Sequence, residues 1–442
     1  MGVRGWRRAV VAAVTTVALV VQGAVTATQS TARAETTYTN PNDADSKAYY
    51  GQTLREMLGV TDETATGKGV KVGVISDSFG KCAGVSESLT SGALPAVNVV
   101  EDATAPCGDE ASDEGRAMLE LIHQIAPEAE LYFAAAGRHN EQGALAVRKL
   151  TAAGVNIIVD DIFSGNEPAF HLSPWSQAIN EARAAGILYF SAVGNAAQYD
   201  AAGNPVGAVT GEYIPGECPA WSDPGWGWTC MQFGQQGYDS FTLAAGTEAW
   251  QPYFATSVLQ DSRAGAYNQD QAVFNALYFV READGTYRQI AVQKSDAWES
   301  GVIDNFADRV PAGKTTIYYV IARLQEGAAP AYHIKHIASL GRAVASQQFS
   351  TTELTAMGLD TSTTFGHSVD GSALGVGAVL ANGTTNSVRA DYSSIGRNCI
   401  YYDGSWPARY QEQCTDGLPA VYGITGGVTR NYPSWTNSAG LH

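Results

Sequence analysis

Several stretches of this chain set a reactive side-chain type at the edge of a regular element. The apolar run in KVGVISDSF ends in Asp77, and in SDEGRAMLELIHQIAPEAELYFA Glu114 opens an amphipathic helix. VNIIVDDIF closes on Asp160 and Asp161, and GILYFSAVGN leads into Gly194-Asn195. Two serines stand out further on, Ser368 in FGHSVDGSALGVGAV and Ser438 in NYPSWTNSAGLH. A serine hydroxyl becomes a nucleophile when a neighbouring base takes its proton, and a carboxylate within hydrogen-bond reach can be that base. Other readings of the same residues stay open. Glu114 also suits a helix start with Ser112 or Asp113 as cap, and Asp160 and Asp161 also suit a strand end. His123 lies nine residues after Glu114, which at 100° per residue is the opposite side of the helix, so it reads as structural.

The elements that must position these residues follow from periodicity. Val70–Ser76, Leu131–Ala135, Val155–Val159 and Ile187–Ala192 read as short strands. Glu114–Ile125, Gly143–Ala153 and Ser173–Ala185 read as the helices between them, stopped by Pro127, Gly154 and Gly186. Strands apolar on both faces and separated by single helices predict a parallel, doubly wound α/β sheet. After about Cys230 the texture changes. Phe274–Val280, Tyr287–Val292, Thr315–Ala322 and Ala331–Ile337 are rich in β-branched and aromatic residues, with turn clusters between them. They predict an antiparallel β-sandwich of about 110 residues. The α/β texture returns near Ser372–Val379, so one domain interrupts the other. The expected division is a leader over 1–34, a first part of the α/β core over 35–229, the sandwich over 230–345, and the second part of the core over 346–442.

Asp77, Glu114 and Asn195, in that order on those elements, resemble the subtilase family of serine peptidases. The resemblance covers roughly Gly67–Asn195 and Gly366–Ser438 and implies a subtilisin-like fold. It implies that Asp77 orients the general base. Where subtilases open the following helix with His-Gly-Thr, this chain has Glu114-Gly115-Arg116, so the implied base is Glu114. Sedolisins also use a glutamate, but with an aspartate four residues later on the same helix. That position is Met118 here, which leaves the orienting role to Asp77. Asn195 falls where subtilases donate to the oxyanion, a contact worth about 3–4 kcal/mol. Asp160 and Asp161 fall on the strand that pairs with substrate backbone in the family, which implies a part in substrate binding. Gly366-His367-Ser368 mimics the family's serine triplet, but SALGVGAV resembles a strand that precedes the nucleophile, so His367 and Ser368 read as structural. Ser438 is then the implied nucleophile. The chain ends four residues after it, so this second part of the core reads as cut short at the nucleophile.

Composition sets the compartment. Arg4, Arg7 and Arg8 precede an uncharged stretch over Ala9–Val25, and Ala32-Arg33-Ala34 offers a cleavage site, the pattern of an export signal. Cleavage after Ala34 leaves 408 residues with net charge −21, from 23 basic and 44 acidic side chains. That balance argues against nucleic acid and anionic membranes as partners. The resemblance implies a polypeptide substrate instead, outside the cell, with no cofactor; a structural calcium ion and the oligomeric state stay open. Six cysteines without metal spacing permit 15 connectivities. The sequence-neighbour pairing Cys82–Cys107, Cys218–Cys230 and Cys399–Cys414 would staple three loop-rich stretches. The competing expectation is a catalytically inactive binding or scaffold protein that uses the sandwich for interaction.

Overall fold

The computed structural model describes residues 65–425 apart from 109, 138, 163, 165–166, 171, 257–273, 295–307, 325–331, 342, 381–388, 397–398, 403–409 and 415–420. The expected leader and Ser438 lie outside the described residues. The protein is mixed α/β, with one parallel sheet and several antiparallel ones.

The parallel sheet has seven strands: β1 (Lys71–Ser76), β2 (Val97–Glu101), β3 (Glu130–Ala135), β4 (Ile157–Asp160), β5 (Leu188–Ala192), β6 (Leu374–Leu380) and β7 (Val421–Thr425). Their spatial order is β2-β3-β1-β4-β5-β6-β7. Four helices accompany them: α1 (Val85–Thr90), α2 (Glu114–Ile125), α3 (Asn140–Ala152) and α4 (Pro174–Ala184). Alternation along the strands divides the core. Val72, Val74, Leu131 and Phe133 pack with Leu119 of α2 on one face. Ile75, Ala134 and Ile158 pack with α3 and α4 on the other, around Leu150, Trp175 and Ile179. Each fully buried Leu, Ile or Phe contributes roughly 1.5–3 kcal/mol, so both helical layers are held firmly on the sheet. Glycine permits the closest approach. A Cβ on Gly115 would come within 2.9 Å of the Ser78 carbonyl oxygen and overlap the Phe133 ring.

Between β5 and β6 the described residues build a two-stranded pair of Ala249–Trp250 with Asp308–Arg309 and two larger antiparallel sheets. One has the order Tyr253–Thr256, His333–Ile337, Ala208–Glu212, Leu359–Asp360. The other includes Tyr287–Lys294, Phe274–Arg281, Thr316–Leu324 and Trp228–Met231 in that order, with Asp239–Leu243 also pairing Thr316–Leu324. Val209, Phe254 and Ile334 of the first pack on Phe241, Tyr278 and Tyr319 of the second. The outer face of the first sheet packs through Tyr253 and Ile337 on Phe170, Ala196 and Phe365, beside the end of the parallel sheet. Cys82–Cys107 and Cys218–Cys230 are disulfide-bonded, and the backbone register sets Cys399 opposite Cys414. Among the described residues no helix is long and apolar enough to cross a membrane.

Candidate active site

At the carboxyl edge of the parallel sheet, Asp77 follows the last residue of β1 and meets the start of α2. One carboxylate oxygen accepts from the Ser112 amide and the Ser112 hydroxyl, both at 2.6 Å. The other accepts from the Glu114 amide at 3.0 Å and from the Ser78 amide. The backbone between explains the clasp. Asp113 is left-handed (φ 62°, ψ 29°), which turns the amides on either side of it toward one point, a small anion-binding nest. The positive end of the α2 dipole lies behind it. A helix start leaves backbone N–H groups without partners, and here Asp77, from another element, supplies one.

Asp113 occupies the cap position, yet its side chain makes no cap hydrogen bond. It turns inward and accepts from the Lys81 amide (2.7 Å), the Cys82 amide (3.0 Å) and the Ser78 hydroxyl (3.0 Å). It also pairs with Arg116 at 2.8 Å, both side chains being fully buried. Arg116 donates onward to the Ser88 hydroxyl and the Ala83 carbonyl. Asp102 completes the clamp by accepting from the Phe79 and Gly80 amides. The loop after Asp77 is therefore tied to the segment before Glu114 by two carboxylates and the Cys82–Cys107 bond.

Glu114 is half-buried, and its carboxylate accepts from the Ser76 hydroxyl at 3.1 Å. Burial, then the carboxylates of Asp161 and Asp77, push its pKa up to about 8, against the opposing Ser76 hydrogen bond. Asp161 is likewise raised, to about 7, by burial and by Asp160. An unperturbed glutamate titrates near ~4.3, so an enzyme using this one as a base would work nearer neutrality than the residue type alone suggests. Asp160 lies on the opposite face of the strand end.

There a second polar cluster is sealed from solvent. The Ser191 hydroxyl donates to Asp160 at 2.7 Å and lies 3.0 Å from His367 Nε2. His367 Nδ1 is 2.7 Å from Glu167, which also accepts from the His367 amide. Trp175 stacks on the imidazole with ring centroids 4.3 Å apart. Burial alone would discharge His367, but the carboxylates of Glu167 and Asp160 overcome it and hold its pKa well above 6.5. Ser368 is buried, with its hydroxyl 3.4 Å from the Phe365 carbonyl. Asn195 is exposed after left-handed Gly194 (φ 85°). Its loop is pinned by the Ser394 amide on the Gly194 carbonyl and the Ala196 amide on the Ser394 hydroxyl. His123 is half-buried in the last turn of α2, with its pKa lowered by burial.

Of the residues singled out in the sequence, Asp77, Glu114 and Asp161 meet at one place. Asp160, His367 and Ser191 meet behind it, and Ser438 lies outside the described residues. Ser76 and Arg116 belong to the first place without a sequence signal of their own, and Ser112 and Asp113 are legible there only as candidate caps. The DEGR string holds two of them, but nothing local marks its aspartate as left-handed.

No protein-family profile matches this chain, and no curated protein matches it. A solved structure named "S41 Psychrophilic Protease" is similar over 33% of this chain and 52% of its own, at 15% identity and a TM-score of 0.21. This chain thus spans about half of that protein, and a likeness so slight carries no argument for fold or function.

Proposed function

We propose that this protein is an exported serine-type peptidase of the subtilisin and sedolisin kind, with the antiparallel sandwich as an insert in its catalytic core. Ser438 is the nucleophile, Glu114 the base that takes its proton, Asp77 the group that orients the base, and Asn195 the oxyanion donor. The observation that carries this reading is the Asp77 clasp. A carboxylate at the end of β1 binds the Glu114 amide at 3.0 Å, at the carboxyl edge of a parallel sheet, where open α/β sheets place their ligands. Two disulfides among the described residues and an acidic net charge suit a protein working outside the cell.

The test is labelling by a fluorophosphonate probe, followed by mapping of the modified serine. Labelling lost in Ser438→Ala and in Glu114→Gln, but kept in Ser368→Ala, supports the assignment. Labelling that survives Ser438→Ala overturns the nucleophile. An unlabelled but folded protein that hydrolyses no polypeptide overturns the enzyme reading in favour of a binding protein.

A further inference from the structure

The strand register places one more carboxyl beside Glu114 than this mechanism uses. β1 and β4 pair in parallel with Ile75 opposite Asp160, the last residue of β4, and the residues that follow are Ser76 and Asp161. Successive residues of a strand face opposite sides. Ile75 and Ile158 belong to the face covered by α3 and α4, whereas Val74 and Val159 belong to the face covered by α2. Ser76 continues the Val74 side, and its hydroxyl does reach Glu114 at the start of α2. Asp160 continues the Ile158 side, where Ser191 at 2.7 Å and His367 at 3.3 Å hold it. Asp161 is thereby committed to the side of Ser76 and Glu114.

We infer that Asp161 is a positioning residue for the base: it and Glu114 hold one proton between them at the edge of the sheet. Among the described residues, the charged groups that bear on Glu114 are Asp77 at the end of β1 and Asp161 at the end of β4. Arg116, on the same helix, is directed to Asp113, Ser88 and Ala83. Lys81 pairs with Asp102 at 3.7 Å. Asp160 faces the other side with His367. Among the described residues no cation thus offsets the pair, and two carboxylates in one half-buried place cannot both ionise without cost. The raised proton affinity of Glu114, to which the Asp161 carboxylate contributes, agrees with this arrangement.

The chemical consequence rests on the peptidase reading. With the shared proton on Asp161, Glu114 is the carboxylate that removes the Ser438 hydroxyl proton as the serine oxygen bonds to the scissile carbonyl carbon. When the C–N bond breaks, that proton passes from Glu114 to the departing amine. That transfer returns the pair to its starting state, with one proton between the two carboxyls.

The sharing itself is tested without activity. Carboxyl 13C NMR titration of protein labelled at Asp and Glu, with Asp161→Asn and Glu114→Gln as assignment variants, follows both midpoints. The expected result is a Glu114 midpoint near neutral that falls by about one pH unit or more in Asp161→Asn, and an Asp161 midpoint that falls reciprocally in Glu114→Gln. Since either variant reports the coupling, loss of one to misfolding leaves the other. A Glu114 midpoint unchanged by Asp161→Asn, or an Asp161 midpoint unchanged by Glu114→Gln, overturns the inference. If the midpoints move but no peptidase activity exists, the proton sharing stands and the functional reading falls. In an active enzyme the acid limb of kcat/KM moves down with the Glu114 midpoint in Asp161→Asn, a shift that mere loss of packing would not produce.

Discussion

Replacing Asp113 by alanine removes the partner of a fully buried guanidinium and puts a Cβ-bearing residue without side-chain hydrogen bonding into a left-handed backbone. Leaving Arg116 unpaired costs about 3–5 kcal/mol, and the left-handed conformation costs alanine about 1–2 kcal/mol more. Together these approach the whole net stability of a typical domain, about 5–15 kcal/mol. Asparagine separates the two contributions. It tolerates the left-handed region and keeps an oxygen for the Lys81 or Cys82 amide, so Asp113→Asn should cost only the charge, about 3 kcal/mol. Adding Arg116→Met should then recover part of that loss, because it removes the buried charge that Asp113→Asn leaves uncompensated. Urea unfolding midpoints of the three variants and the parent measure all of this. The reasoning is refuted if Asp113→Ala lies within about 1 kcal/mol of the parent, where mutations without a named structural cause fall, or if Arg116→Met brings no recovery in the Asp113→Asn background.

On the proposed reading Glu114 acts as a base only when ionised, and since its pKa is raised, activity should fall as pH drops through the neutral range; a kcat/KM profile still at its plateau at about pH 5, near an unperturbed glutamate, would contradict this. Gly115→Ala should destabilise by roughly 1–3 kcal/mol through overpacking against Phe133 and the Ser78 carbonyl, and should lower kcat by tilting Glu114; thermal melts and kinetics read both. Burial depresses His336 to about 3 in the folded sandwich, so its contribution is present above the unfolded value of ~6.5 and is lost as pH falls toward the folded one, with a ceiling of about 5 kcal/mol. Asp239, raised to about 6 by burial, acts in the opposite sense between about 4 and 6 and offsets part of it. His336→Gln should therefore lose less Tm between pH 7 and pH 4 than the parent does.

What was legible in the sequence was whatever a local pattern dictates. β1, β3, β4 and β5 announced themselves because strands buried on both faces are apolar throughout, and α2 and α4 because one face alone is apolar. Asp77 and Glu114 were legible because each stands where such a pattern begins or ends. The left-handed turn at Asp113 was not, since Asp before Glu at a helix start reads as an ordinary cap. Nor was the separation of Asp160 from Asp161 onto two faces, which follows from the register of β4 against β1. His367 meets Asp160 across 207 positions, and no window along the chain contains both.

The buried array behind the sheet shows why geometry has to be taken with its protons. Ser191, His367 and Glu167 stand as hydroxyl, imidazole and carboxylate at 3.0 and 2.7 Å, the spacing of a serine-nucleophile triad. In such a triad the imidazole must be neutral at Nε2 to receive the hydroxyl proton. Here Glu167 and Asp160 keep His367 protonated, so Nε2 is a donor, and the Ser191 hydroxyl sends its own proton to Asp160 at 2.7 Å. The serine thus accepts from the very ring that would have to deprotonate it, and at 1% exposure it meets no substrate. The same charge that disables it as a nucleophile fixes Asp160 on the inner face of β4. Because strand residues alternate, that anchoring is also what directs Asp161 outward to Glu114. The imidazolium therefore holds Asp160 on the inner face, while the register of β4 against β1 leaves Asp161 on the other.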